Sequence, residues 1–179
     1  MAALGELPEA ARALVVTVSD RSHAGTRPDG SGPLLAALLT ELGFVVDDVV
    51  VVPDEIAAVQ AAVLAGVTLS ADIARSAGGA AYDLVVTTGG TGLAPRDITP
   101  DAVAPLLERQ VPGLAEALRQ HRRDQLPTTL LSRSIAGTIG RTLVVTLPGS
   151  PGAVRDGVAV LGPVVGHAIA QLRGGGDHG

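Results

Sequence analysis

The sequence has no cysteine, which excludes a thiol nucleophile, disulfides, iron–sulfur clusters and zinc ribbons. Lysine is absent as well, so all 13 basic residues are arginine. That removes a Walker-type phosphate lysine and any Schiff-base mechanism. Phe44 and Tyr82 are the only aromatics, too few for a base-stacking platform. With a net charge of −5 there is no basic footprint either, and nucleic acid is not an expected partner. No charged segment precedes an apolar run at the N-terminus, so no signal peptide is expected. The apolar stretch from Gly157 to Leu172 contains His167 and is short for a membrane span. These absences point to a cytoplasmic chain without a membrane partner.

What remains is a chain of 179 residues, 46% hydrophobic and 17% charged, which suits one domain with a core of Ala, Val and Leu. No repeat or linker divides it. Residues 12–173 read as a single domain, with 1–11 and the glycine-rich 174–179 as loosely held, flexible ends. β-branched runs predict strands at Leu14–Ser19, Phe44–Val52, Asp83–Thr88 and Thr142–Leu147. Between them lie helical stretches. Ser31 is a candidate cap and Gly43 a candidate stop for the first. A second starts near Ile56, with its far end blurred by Gly66 and the Gly78-Gly79 pair. Thr99 is a candidate cap for a helix from Pro100, and another helix runs from Pro112 to about Arg123. Two more helices follow Pro151 and Pro163. Residues 128–140 fit short strands or turns. Strands alternating with helices imply an α/β fold: three layers, α/β/α, with a mostly parallel central sheet whose Val/Leu runs are covered on both sides.

In such sheets ligands bind outside the carboxyl ends of the strands. The ends here carry Asp20-Arg21-Ser22, Asp54-Glu55, Gly89-Gly90-Thr91-Gly92 followed by Arg96-Asp97, and Pro148-Gly149-Ser150-Pro151-Gly152. A glycine loop lets backbone N–H groups approach a phosphate. This one lacks both the dinucleotide and the Walker patterns, so bound phosphate would depend on amides, arginine and metal. Asp54 and Asp97 suit Mg²⁺, which takes one or two carboxylates plus water and substrate phosphates. Each alone reads equally well as a turn or cap carboxylate. Asp101 fits a first helical turn, and Asp47 and Asp48 read as solvent-facing. Ser132 and Arg133 suit either a phosphate contact or a surface turn. His23 lies in the first loop, His167 in a helix and His178 in the tail. No His pair has metal-ligand spacing, and no Ser–His–Asp arrangement is present.

The strings VSDRSHAG…DGSGP, VVPDE, TTGGTGLAPRDITPDA, LSR and LPGSPGAVRDG, in that order over residues 14–157, resemble the Mog/MoaB family of molybdopterin adenylyltransferases and the related gephyrin G domain. The resemblance implies a molybdopterin-binding fold and a role in molybdenum cofactor biosynthesis. The implied reaction is Mg²⁺-dependent transfer of AMP from ATP to the terminal phosphate of molybdopterin, releasing pyrophosphate. It implies catalytic Asp54, Asp97 and Arg96, with Asp54 and Asp97 also holding Mg²⁺. It implies substrate or nucleotide contacts at Asp20, Gly89, Gly90, Thr91, Gly92, Ser132, Arg133, Pro148 and Gly149. A homotrimer and a molybdenum insertase as downstream partner are implied as well. The alternatives are a MoaB-like pterin-binding protein without adenylyltransferase activity, and a general nucleotide- or sugar-phosphate-binding domain.

Overall fold

The computed structural model describes residues 6–47, 49–76 and 82–175, with side chains omitted for 68–76. Strand β1 is Arg12–Val18, followed by a single helical turn α1, Asp20–His23, and helix α2, Gly32–Glu41. Strands β2 (Val45–Val46) and β3 (Val50–Val52) precede helix α3, Ile56–Ser76. Then come β4 (Leu84–Thr88), α4 (Thr99–Val103), β5 (Arg109–Gln110) and α5 (Pro112–Gln120). Strands β6 (Ala136–Ile139) and β7 (Thr142–Leu147) lead into α6, Pro151–Leu172.

Among the described residues the sheet runs β2–β1–β4–β7–β6–β5, with β3 also on β1. Strands β2, β3, β4 and β7 pair in parallel, while β6 and β5 add an antiparallel edge. Successive strand residues alternate between two cores. Val15, Val86 and Val145 pack beneath Leu35 and Leu39 of α2 and Leu161 and Ile169 of α6. Val16, Val85 and Val144 pack beneath Val59 and Val63 of α3 and Ala102 and Val103 of α4. The three-layer α/β/α fold is therefore present, and both faces of the sheet are covered.

Several boundaries differ from the sequence expectation. The second strand is two short pieces, parted around Asp47. That carboxylate is not merely solvent-facing, since it accepts from the Arg12 guanidinium and the Tyr82 hydroxyl. Asp48 and the Gly78-Gly79 pair lie outside the described residues. Helix α3 runs straight through Gly66, where a Cβ would sit 2.6 Å from Leu14 Cδ2, so the missing side chain lets the helix lie on the sheet. The two expected C-terminal helices are one 22-residue helix with Pro163 inside it. Its buried face, from Val154 to Ile169, holds it on the sheet across the proline. By length and composition α6 passes for a membrane span, yet it seats this core face against β7 and α2. At the chain ends, Leu7 packs against the core and Ala11 is fully buried. The buried Asp83 carboxylate takes both forks of Arg173 at 2.8 Å and the Arg12 N–H at 2.9 Å, clamping the end of α6 to the start of β1.

Candidate active site

Chain order decides where a cleft opens. From β1 the chain moves to β3 on one side, then to β4 on the other. The loops leaving β1 and β4 therefore diverge to opposite faces, the switch point at which parallel sheets hold ligands. Register completes the convergence: Thr17 lies beside Thr88, Val18 beside Val52, and Thr88 beside Leu147. The strand ends Ser19-Asp20, Pro53-Asp54, Gly89-Gly90 and Pro148-Gly149 thus reach one rim. A cavity of about 420 Å³ opens there, lined among others by Asp20, Asp54, Gly89, Gly90, Arg96, Asp97 and Gly149.

Its floor is held by a reciprocal pair. Asp54 Oδ2 accepts the Asp20 N–H at 2.8 Å, and Asp20 Oδ1 accepts the Asp54 N–H at 3.0 Å. The other Asp20 oxygen meets the Arg96 guanidinium at 2.5 Å. Asp97 Oδ2 accepts the Ala94 N–H at 2.8 Å, closing its own loop. That carboxylate lies over Gly92, where a Cβ would come within 2.7 Å of Asp97 Oδ2. Gly92 thus makes room for the acid rather than for a ligand. Gly89, at φ +108, is forced by a different neighbour. A Cβ there would be closer than 3.0 Å to the Val18 carbonyl oxygen of the adjacent strand.

Asp54 and Asp97 each keep one carboxylate oxygen without a hydrogen bond among the described residues. That donor set fits Mg²⁺, which binds through one or two carboxylates and fills its octahedron with water and phosphate oxygens. Among the described residues no group of three or more His, Cys, Asp or Glu side chains assembles.

The profile of the family described as "Probable molybdopterin binding domain" matches residues 14–167. The chain belongs to this family. It is 44% identical over 167 residues to a molybdenum cofactor biosynthesis bifunctional protein of Synechococcus elongatus, covering 93% of this chain and 49% of that one. This chain spans about half the length of the first such bifunctional relatives it matches. A molybdopterin biosynthesis protein from Mycobacterium abscessus superimposes with a TM-score of 0.78 at 45% identity, covering 92% of this chain and 95% of that one. A solved MogA structure gives a TM-score of 0.81 at 39% identity, covering 90% and 99%. Molybdenum cofactor biosynthesis is the process that the names of these relatives give.

Seven of the twelve residues singled out from the sequence line the cavity, and Thr91, Gly92, Ser132, Arg133 and Pro148 do not. Arg133 braces the wall. Its N–H bonds the Thr91 carbonyl at 2.8 Å and its Nε the Gly92 carbonyl at 2.9 Å. The guanidinium also forks onto Asp101 at 2.9 and 3.0 Å and donates to the Asp97 carbonyl. It joins the glycine loop to the Arg96-Asp97 loop. Ser132 and Pro148 border a separate small cavity of about 50 Å³. Thr99 sits one residue inside α4 rather than capping it. Its hydroxyl donates to the Gly89 carbonyl at 2.8 Å, and its N–H to Gly90.

Asp29 is the residue that sequence reasoning missed. Ser31 occupies the cap position of α2, but its hydroxyl makes no capping bond. Instead Asp29 Oδ1 accepts the N–H groups of Ser31 and Gly32, both at 3.0 Å, while Oδ2 accepts the Thr17 hydroxyl at 2.6 Å. The signal was present in Asp29-Gly30-Ser31-Gly32, an aspartate two and three residues before unpaired N–H groups. Burial pushes this carboxyl's pKa up, but the bonds from Thr17, Gly32 and Ser31 outweigh it and hold the group below its ordinary 3.8. A depressed folded pKa contributes stability above the unfolded value that is lost as pH falls through the folded one. Asp29→Asn is therefore expected to lower stability at pH 7 by about 1 kcal/mol. The deficit should shrink as pH drops below 3.8. Denaturant melts at pH 7 and pH 3 check this, and a deficit of equal size at both would refute it.

Proposed function

We propose that residues 12–173 act as one molybdopterin-binding domain that transfers AMP from ATP to the terminal phosphate of molybdopterin. The observation that carries the reading is the pair Asp54 and Asp97, each with one free oxygen, on the wall of a cavity built by the glycine loop. A phosphate oxygen of molybdopterin attacks the α-phosphorus of ATP. The bond from that phosphorus to the bridging oxygen breaks, and its electron pair leaves on pyrophosphate. A dianionic phosphate nucleophile brings no proton, so the step needs no Cys, Lys or His at the site.

Asp54 and Asp97 would hold Mg²⁺, whose chemistry there would be neutralisation of phosphate charge. The protein's own contribution is position. Asp20 and Asp54 lock the β1 and β3 loops together, Arg133 and Thr99 fix the loop behind the phosphates, and Arg96 sets a guanidinium on the wall. A Helicobacter pylori relative, 39% identical over 92 residues and named molybdopterin adenylyltransferase, supports the reading. A homotrimer, and hand-over of the product to a molybdenum insertase, belong to the same proposal.

The test is pyrophosphate release from ATP and Mg²⁺ by purified protein, with and without molybdopterin. Pterin-dependent release is expected. Pterin binding without release would replace the reading with a pterin-binding protein that transfers nothing, and relatives named molybdenum cofactor biosynthesis protein B would then be the apt comparison.

A further inference from the structure

A nucleoside triphosphate brings three or four negative charges to its site, and one or two carboxylates with a divalent ion do not balance them. In a chain without lysine, arginine is the cationic side chain best suited to offset the rest, beside backbone amides. Most of the arginines are already engaged. Arg133 is spent on Asp101 and backbone carbonyls, while Arg96 pairs with Asp20 on the cavity wall. Arg119, Arg122, Arg123 and Arg173 bond acceptors away from the cavity, and Arg155 bonds the Pro151 carbonyl within its own helix. Arg21 and Arg27 line the cavity and have no side-chain hydrogen bond or ion pair among the described residues.

The loop brings these two together. The Arg21 carbonyl accepts the Thr26 N–H at 2.9 Å, the Thr26 hydroxyl at 3.1 Å and the Arg27 N–H at 3.2 Å. Gly25, at φ +70, turns the chain back between them. Residues six apart in sequence therefore share one rim. The carboxylates beside them do not compete: Asp29 is held by Thr17, Ser31 and Gly32, and Asp20 by Arg96 and the Asp54 N–H. The same cavity is bounded by Gly149 and Pro151 at the N-terminus of the 22-residue α6, where the helix dipole adds positive potential.

We infer that Arg21 and Arg27 form a polyphosphate subsite, which holds the β- and γ-phosphates of a nucleoside triphosphate and then the pyrophosphate. The inference rests on the adenylyl-transfer reading for its choice of ligand, but not for the existence of the cationic rim. Calorimetry of the full chain in Mg²⁺ tests it, with inorganic pyrophosphate, ATP and AMP as probes. The double variant Arg21→Gln/Arg27→Gln is expected to bind pyrophosphate and ATP about 100-fold more weakly, roughly 10-fold per guanidinium. AMP affinity should stay within about twofold, and an unchanged melting temperature would show that the loop still folds. Arg21→Lys/Arg27→Lys should recover part of the loss, because a point charge replaces the planar fork. Unchanged pyrophosphate affinity in the double glutamine variant would overturn the subsite, as would an equal loss for AMP or no pyrophosphate binding by the wild type. Arginine-dependent pyrophosphate binding without pterin-dependent turnover would uphold the subsite and remove the transferase. Turnover with arginine-independent pyrophosphate binding would do the reverse.

Discussion

Gly89→Ala is expected to destabilise the protein by about 3 kcal/mol or more, lowering its melting temperature by roughly 6–12 °C. Two penalties add at this residue. Its backbone sits at φ +108, a conformation L-residues rarely adopt, and the new Cβ would press on the Val18 carbonyl of the neighbouring strand. Strand β4 cannot shift away, because Gly89 is also bonded to Leu147 through its N–H and to Thr99 through its carbonyl. Two controls separate the terms. Gly140 has a positive φ of +56 but no neighbour within 4 Å of a built Cβ, so Gly140→Ala should cost only about 1 kcal/mol. Gly113 lies in the first turn of α5 with equally open space, and alanine there should be neutral or stabilising by up to about 1 kcal/mol. Thermal melts of the three variants decide the point. A Gly89→Ala protein as stable as Gly140→Ala would mean that the strand-end contact is not what fixes the loop.

Asp97→Asn is expected to reduce the proposed adenylyl transfer about 10²–10³-fold while leaving molybdopterin affinity within about twofold. The amide keeps the shape of the side chain, and its oxygen can still accept the Ala94 N–H that closes the loop at 2.8 Å. What it removes is one unit of negative charge beside Asp54. Without that charge a divalent ion is held less tightly, so the Mg²⁺ concentration for half-maximal rate should rise in the same variant. A group that acts in the transition state lowers kcat more than it raises KM for the pterin. Single-turnover assays at graded Mg²⁺ check both statements. Full activity with an unchanged Mg²⁺ requirement would remove Asp97 from the chemistry and leave it as a loop-closing carboxylate.

The fold class was legible in the sequence because it depends on local patterning. Val-rich runs such as Leu84-Val85-Val86 and Leu143-Val144-Val145 must be covered on two sides, and their alternation with helices leaves few arrangements other than a parallel three-layer sheet. That Asp54, Asp97 and the glycine loop meet at one edge was legible for a related reason: in such a sheet every segment following a parallel strand emerges on the same side. The single helix across Pro163 was not, since the proline signal is local and the apolar face that overrides it forms only against β7 and α2. Nor was the division of labour among the polar residues. Arg133 and Arg96 look alike as arginines beside motif residues, yet one braces two loops while the other lines the cavity. Asp29 looks like one more loop acid, yet it caps α2 and ties that helix to β1 through Thr17. The sequence alone determined which chemistry is available, because residue types and their order along the strands are local facts. Only the tertiary structure decided which side chains are free to perform it, because a hydrogen-bonding group is free or spent according to neighbours that lie 30 to 90 residues away in the chain.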